Sequence, residues 1–280
     1  MSEYKDTVIE YFHQKAEDYD LTDNQSYWWF SDCLLWEILN REVLEKLDEN
    51  FKFFDAGAGT GRWTAHIMEK YEKTSGLLVD FSQDMLNQAQ KKIENNHWEE
   101  RTEVIQADLD LIDLSSKENQ YDLSFSFHNV LGFVKDPFQV IGKMSQVVKK
   151  GGYIVSLVPN LYHNIFFNLK ENHPELAFDC FKTKKGRFTP DMPEMNMFTP
   201  DMLREYYEKL GIEIEGIYGF PVTLYPGYQE TQLHGETVKL ANILADEDVF
   251  KKLFDMEMSL YKNQDAAGRG NQIIIIGKKK

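Results

Sequence analysis

Apolar positions along the chain form short runs that alternate with four-residue spacings, a pattern that predicts strands interleaved with helices. Phe51 to Phe54 reads as a buried strand, and Trp63, Ile67 and Tyr71 follow on one helical face. Gly76 to Asp80 predicts a second strand. Met85, Ala89 and Ile93 predict the next helix, with Ser82 as its N-cap. Thr102–Ala107 and Tyr121–Ser126 give the third and fourth strands. Asp136-Pro137 opens a helix whose buried face is Phe138, Ile141, Met144 and Val148, closed by Lys149-Lys150-Gly151-Gly152. Tyr153–Pro159 is the fifth strand. Thr199 and Pro200 start a helix through Leu203, Tyr207 and Leu210 that Gly211 stops, and Ile212–Tyr218 is a sixth strand. Four consecutive isoleucines, Ile273 to Ile276, suit a last strand buried on both faces.

The flanks are less regular. Val8, Phe12 and Ala16 predict one N-terminal helix, and Leu35, Leu39, Val43 and Leu47 a second, capped by Ser31 or Asp32. The aromatic stretch Tyr27-Trp28-Trp29-Phe30 falls between them and reads as a connecting loop over the strand ends. Residues 160–198 read as an irregular, Met-rich loop. The segment 221–270 reads as a second insertion with helical patterns at Val238–Leu244 and Val249–Tyr261.

A chain of 280 residues supports one large core, or one core with an appended cap. Its net charge of −15 opposes nucleic-acid binding, which needs clustered cations against phosphate. Lys182, Lys184, Lys185 and Arg187 read as a solvated basic loop. Two cysteines, Cys33 and Cys180, are too few for a disulfide framework and lack metal-ligand spacing, so no metal is expected. Met1-Ser2-Glu3-Tyr4-Lys5-Asp6 shows no basic segment leading into an apolar run, so no secretory signal is expected. No apolar stretch approaches the ~20 residues that cross a bilayer, and a cytoplasmic protein without membrane contact is expected. The oligomeric state is left open.

The chemistry centres on the first strand's exit, Asp55-Ala56-Gly57-Ala58-Gly59-Thr60-Gly61-Arg62. Glycines there permit a tight turn and let a ligand touch the main chain. A dinucleotide loop reads G-x-G-x-x-G, but Arg62 stands where its third glycine would fall. Asp80 lies one strand–helix–strand unit further on, where a carboxylate can accept from both hydroxyls of a ribose.

The spacing Asp55-x-Gly57-x-Gly59-x-Gly61 resembles the first motif of class I S-adenosylmethionine-dependent methyltransferases of small-molecule type. Asp80-Phe81-Ser82-x-x-Met85-Leu86, Phe12-x-x-x-Ala16-x-x-Tyr19-Asp20 and Tyr121-Asp122-Leu123-Ser124-Phe125-Ser126 are similar to further motifs of that family. The resemblance implies a Rossmann-like α/β sheet of seven strands, mostly parallel with an antiparallel last strand and helices on both faces. It would divide into an N-terminal helical cap (1–50), a cofactor-binding core (51–159), an insertion (160–198) and the remaining sheet (199–280), itself carrying the helical insertion 221–270.

It further implies S-adenosylmethionine as cofactor. The loop glycines Gly57, Gly59 and Gly61 with Arg62 and Asp55 would hold its amino-acid end, and Tyr19 would cover it. Asp80 would hold the ribose, and Phe81 and Met85 would pack on the adenine. Asp108 and the Leu109 amide would contact the adenine edge, with Asp110 and Asp113 as alternatives to Asp108. Ser126 would mark the strand tip facing the methyl group.

The implied reaction is methyl transfer to an oxygen or nitrogen of a small molecule. There is no N-P-P-Y pattern to suggest amino-group methylation of nucleobases or glutamine. His128, at the fourth strand's tip, is the first candidate for a general base and His163 the second. Candidate acceptor contacts are Tyr27, Trp29, His128, Asn129, Phe133, Tyr162 and His163. Two rivals stand beside this reading. A dinucleotide oxidoreductase is opposed by Arg62 and Asp55, and a non-catalytic cofactor-binding sensor or scaffold would show a blocked acceptor pocket.

Overall fold

The structure, a computed structural model, describes residues 3–232 and 235–280. Met1 and Ser2, which begin the stretch read for a secretory signal, lie outside the described residues, as do Leu233 and His234 within the second insertion.

Two helices precede the sheet, α1 (Glu3–His13) and α2 (Ser26–Glu42). The first half of the sheet follows as β1 (Lys52–Ala56), α3 (Arg62–Lys70), β2 (Ser75–Asp80), α4 (Gln83–Asn95), β3 (Thr102–Gln106) and β4 (Tyr121–Ser126). Then come α5 (Val130–Phe133), α6 (Pro137–Val147) and β5 (Val148–Pro159). A cap is built from α7 (Leu161–Lys170), α8 (Pro174–Thr183) and the two-stranded ribbon β6 (Lys185–Gly186) and β7 (Met195–Asn196). The chain ends with α9 (Pro200–Lys209), β8 (Ile212–Phe220), α10 (Val238–Ala245), α11 (Glu247–Leu260) and β9 (Gln272–Lys279).

Seven strands form one sheet in the order β3-β2-β1-β4-β5-β9-β8. Strands β1 to β5 pair in parallel, and β9 runs antiparallel to both β5 and β8. Strand alternation divides the core between the two faces. Phe53, Phe125, Ile274 and Ile276 pack with α2 and α3, while Phe54, Leu77, Ile273 and Ile275 pack with α6 and α9. All four isoleucines are buried, so the last strand is covered on both sides as its composition predicts.

Local chemistry fixes several helix starts as expected. Ser82 Oγ accepts from the Met85 amide, Asp136 from the Gln139 amide, and Thr199 Oγ1 from the Met202 amide. Helix α6 buries Val140, Ile141, Met144 and Val147 and leaves Phe138 half-buried, and β5 begins at Val148, ahead of the expected Tyr153.

Two expectations fail in the flanks. Tyr27-Trp28-Trp29-Phe30 is not a loop but the first turns of α2, whose N-cap is Gln25. Ser31 and Asp32 are therefore interior helical residues, both buried, and cap nothing. Residues 160–198 are also not irregular, since α7 and α8 occupy half of them. Their apolar periodicity misleads because Tyr162, Phe166, Leu169, Phe178 and Phe181 face outward.

Candidate functional site

The loop between β1 and α3 folds back on β2: the Gly57 and Ala58 amides both donate to the Val79 carbonyl, at 2.8 and 3.0 Å. Gly57, Gly59 and Gly61 all adopt left-handed backbone, with φ of +87°, +53° and +71°. The glycines differ in what surrounds them. A Cβ on Gly57 would lie 2.4 Å from Val130 Cγ1, and one on Gly61 would lie 3.0 Å from Ala89. On Gly59 a Cβ would meet no protein atom within 4 Å, because that residue borders a cavity of about 260 Å³. Gly57→Ala is therefore expected to destabilise the fold by about 2–4 kcal/mol, from left-handed strain plus the clash. Gly59→Ala should cost the fold only about 1–2 kcal/mol. It should instead weaken ligand binding in the cavity about tenfold, a contrast that paired thermal melts and calorimetry would check.

Two buried acids stand at the strand ends above this loop. Asp80 Oδ2 accepts from the Gly59 amide at 2.9 Å and Oδ1 from the Ser82 amide at 2.8 Å. Burial pushes its carboxyl up to about 6, although the Ser82, Gly59 and Phe81 amides oppose the shift. Asp55 accepts from Thr64 Oγ1 at 2.7 Å. Burial pushes it up to about 7, against the Thr64 bond and with the Asp80 charge adding to the rise. Both line the cavity, together with Phe81, Met85, Asp108, Leu109 and Arg62.

Helix α1 closes the cavity's far end with Lys5, Val8, Ile9 and Phe12. The Lys5 ammonium pairs with Asp108 and lies 3.0 Å from Asp110. Burial would raise the Asp110 carboxyl, but the Lys135 and Asp136 amides and Lys5 outweigh it and hold it below the usual carboxylate range. Asp108 and Asp110 thus both border the cavity, whereas the third candidate acid, Asp113, is exposed and accepts from the Ser115 amide.

A second cavity of about 150 Å³ adjoins the first, and Phe12, Tyr19, Arg62, His128 and Phe133 line both. At this junction the tip of β4 carries His128 and Asn129 in left-handed backbone, with φ of +51° and +69°. Two such non-glycine residues in succession store strain of order 1–3 kcal/mol each, a cost that persists where surrounding packing over-determines it. The His128 ring stacks on Trp63, with centroids 5.6 Å apart. Its Nε2 lies 3.5 Å from Asp32 Oδ1. Burial pushes the imidazole down to about 4, with Asp32 opposing and Arg62 and His66 adding, so the ring is neutral at physiological pH. Arg62 pairs with both Asp23 and Asp32, which pins its guanidinium between the cavities.

The remaining expected residues divide between the cavities and the core. Tyr19 lines both cavities, and Asn129 and Phe133 line the second. Gly61 sits behind the loop as the N-cap of α3. Ser126 is wholly buried beneath the strand tip and borders neither cavity. Tyr27 is buried in the core beside Asn271, and Trp29 is half-exposed on the outer face of α2, because helical geometry turns neighbouring residues apart. Tyr162 is exposed on α7, and His163 is buried against Phe188 and Tyr225, so neither borders the cavities. Sequence reasoning missed Lys5, Gln25, Trp28 and Asp32. Two of these left a trace: Asp32 as a candidate helix cap, and Trp28 within the aromatic stretch expected over the strand ends.

Residues 53–152 match the family model described as a methyltransferase domain. The tRNA 5-carboxymethoxyuridine methyltransferase of Escherichia coli O157:H7 is 26% identical over 191 residues, covering 68% of this chain and 70% of that protein. The malonyl-[acyl-carrier protein] O-methyltransferase of Priestia megaterium is 23% identical over 198 residues, covering 71% and 65%. Among solved structures, a complex between the Haloferax volcanii Trm112 methyltransferase activator and a methyltransferase matches with a TM-score of 0.59 at 14% identity, covering 95% of this chain and 96% of that one. Geranyl diphosphate C-methyltransferase from Streptomyces coelicolor A3(2), solved with S-adenosyl-L-homocysteine, matches with a TM-score of 0.56 at 11% identity, covering 87% and 78%. The strand order, the glycine loop and these matches agree: residues 53–152 form a methyltransferase domain, and the chain has the Rossmann-like fold of S-adenosylmethionine-dependent methyltransferases.

Proposed function

We propose that this enzyme transfers the methyl group of S-adenosylmethionine to an oxygen or nitrogen of a small molecule seated in the second cavity. The carrying observation is the junction: a second cavity adjoins the first, and Tyr19, Arg62 and His128 line both. The residues present fit the cofactor. Gly59 leaves open space where a side chain would stand, and Asp80 presents a buried carboxylate at the end of β2.

In this reading Asp80 holds the ribose, Phe81 and Met85 flank the adenine, and Asp108 with the Leu109 amide reads its edge. The Gly57–Gly59 backbone and Asp55 hold the amino-acid end. Bound there, S-adenosylmethionine supplies a methyl group already activated by its sulfonium. The protein's share is to align the acceptor and exclude water, which the aromatic wall of Tyr11, Phe12, Trp28 and Phe133 suits. Cys33 and Cys180 are free thiols, which supports a cytoplasmic setting. Among the described residues no helix is long and apolar enough to cross a membrane.

A transfer-RNA acceptor is the second reading, favoured by the Escherichia coli relative. The net charge of −15 opposes it, because tRNA binding needs cations set against phosphates. Incubation with methyl-labelled cofactor, a metabolite extract and bulk tRNA separates the two. Label is expected in the small-molecule fraction, and label confined to tRNA would overturn the proposal.

A further inference from the structure

Helix α1 forms one wall of the first cavity without belonging to the sheet that builds the rest of it. Its inner face is a short apolar stripe. Val8 is buried, and Phe12 meets Phe81 and Phe133 edge-on, with ring centroids 6.2 and 5.3 Å apart. Asp6, Thr7 and Glu10 are exposed on its outer face. Polar contacts fasten the helix at its two ends. Lys5 pairs with Asp108 and Asp110, and Tyr4 Oη donates to the Glu194 carbonyl. At the other end His13 Nδ1 lies 2.7 Å from Asp84 Oδ2, on the surface. The chain that follows is tied down more firmly. Asp20 accepts from Thr60 Oγ1 at 2.6 Å and from Lys92, and Asp23 pairs with Arg62, which holds the segment Tyr19–Asn24 to the glycine loop and α4. Between helix and segment lie the turns of residues 14–18.

Two features of this arrangement oppose a bound cofactor. Lys5 holds the Asp108 carboxylate, which on the reading above accepts from the adenine edge. With α1 in place the cavity also measures about 260 Å³, under the about 300–1,000 Å³ of pockets that bury ligands of comparable size. Resting on that cofactor reading, we propose that α1 is a lid over the cofactor cavity, pivoting at residues 14–18, and that the Lys5 pair with Asp108 and Asp110 is its latch. Opening breaks a partly buried ion pair and lifts one apolar stripe from Phe81 and Phe133, while the segment Tyr19–Asn24 stays fastened. The latch has a second seat. Asp110 lies 3.0 Å from Lys5 and is itself fixed by the Lys135 and Asp136 amides. When the adenine edge takes Asp108, the ammonium keeps Asp110, and α1 closes again somewhat further out. Lys5 touches no reacting atom, so it is a positioning residue that governs how fast the cofactor enters and its product leaves.

The test follows S-adenosylhomocysteine binding to the full-length protein by stopped-flow tryptophan fluorescence, Trp63 lying in the cavity wall. In wild type the observed rate should level off as ligand concentration rises, because opening precedes binding. Lys5→Met keeps the apolar stem and removes the charge. It is expected to raise that plateau and the rate of ligand release at least tenfold each, with Kd moving less than either rate. Raising salt from about 0.05 to about 0.5 M should lift the wild-type plateau and leave that of Lys5→Met level, a response that lost packing would not give. Asp84→Asn, at the other end of the helix, supplies a second variant with a smaller rise in the same direction should Lys5→Met fold poorly. A wild-type rate that climbs in proportion to concentration throughout, or a plateau unmoved in both variants, would overturn the lid and leave cofactor binding standing. Calorimetry that detects neither S-adenosylmethionine nor S-adenosylhomocysteine binding would instead sink the cofactor reading, and the lid with it.

Discussion

Replacing His128 with asparagine is expected to lower turnover about a hundredfold or more while cofactor affinity stays within a few-fold of wild type. The substitution suits the backbone, because His128 sits at φ +51° and asparagine is among the residues that tolerate that region best. A loss of rate would therefore not reflect a distorted β4 tip. Burial disfavours the imidazole's cation and pushes it down to about 4, so the ring is neutral across the physiological range and takes up a proton only as the acceptor's own proton turns acidic in the transition state. Asp32, 3.5 Å from Nε2, would stabilise the imidazolium as it forms. Wild-type turnover should then hold level on the acidic side down to about pH 5 and fall toward pH 4, and that limb should vanish in His128→Asn. Turnover within a few-fold of wild type would mean that transfer runs on alignment alone.

What the sequence disclosed was the part governed by near neighbours. Ser82, Asp136 and Thr199 cap the helices expected of them because a cap needs only its own first turn. The five parallel strands and the closing isoleucine strand follow from runs of apolar residues bounded by glycine and acid. The acids Asp55 and Asp80 stand at strand ends, so finding the strand found the acid. The acceptor side was far less legible. Helix α2 is covered along much of its circumference, with Tyr27, Phe30, Ser31, Asp32, Leu34 and Leu35 all buried, so it lacks the polar stripe that marks a helix start. Its aromatic opening therefore read as a loop, and Asp32 as a cap.

Long-range pairing hid the rest. Asp32 acquires its meaning only when Arg62, thirty residues on, reaches it, and Gln25 only when the carbonyls of Gln232 and Gly235 take both its amide protons. Lys5 gives no local hint that it will bridge Asp108 and Asp110 across the end of the cofactor cavity. The first cavity is thus bordered by strand ends, whereas the second is lined by segments far apart in the chain.

Asp80→Asn is expected to weaken S-adenosylmethionine binding about a hundredfold, well beyond what a lost charge at a surface would do. Both carboxylate oxygens already accept backbone amides, Gly59 on one side and Ser82 on the other. An asparagine must turn its NH2 toward one of those N–H groups, so it replaces an acceptor with a donor–donor conflict and disturbs the loop as well as the ribose contact. Charge-assisted hydrogen bonds are worth about 1.5–3 kcal/mol each, and the loss of two accounts for the expected factor. The wild-type pH dependence follows from the same group. The Asp80 carboxyl is raised from 3.8 to about 6 and that of Asp55 to about 7, so the free enzyme holds protons that the unfolded chain has released. Stability of the free enzyme should therefore fall as pH rises from about 4 to 7. A cationic ligand that donates hydrogen bonds to the ionised acids favours their charged forms, so cofactor affinity should rise over the upper part of that window, with protons released on binding. Calorimetry in buffers of different ionisation enthalpy would measure that release directly. Wild-type affinity level from pH 5 to 8, with no proton release, would remove both acids from the cofactor's binding equilibrium.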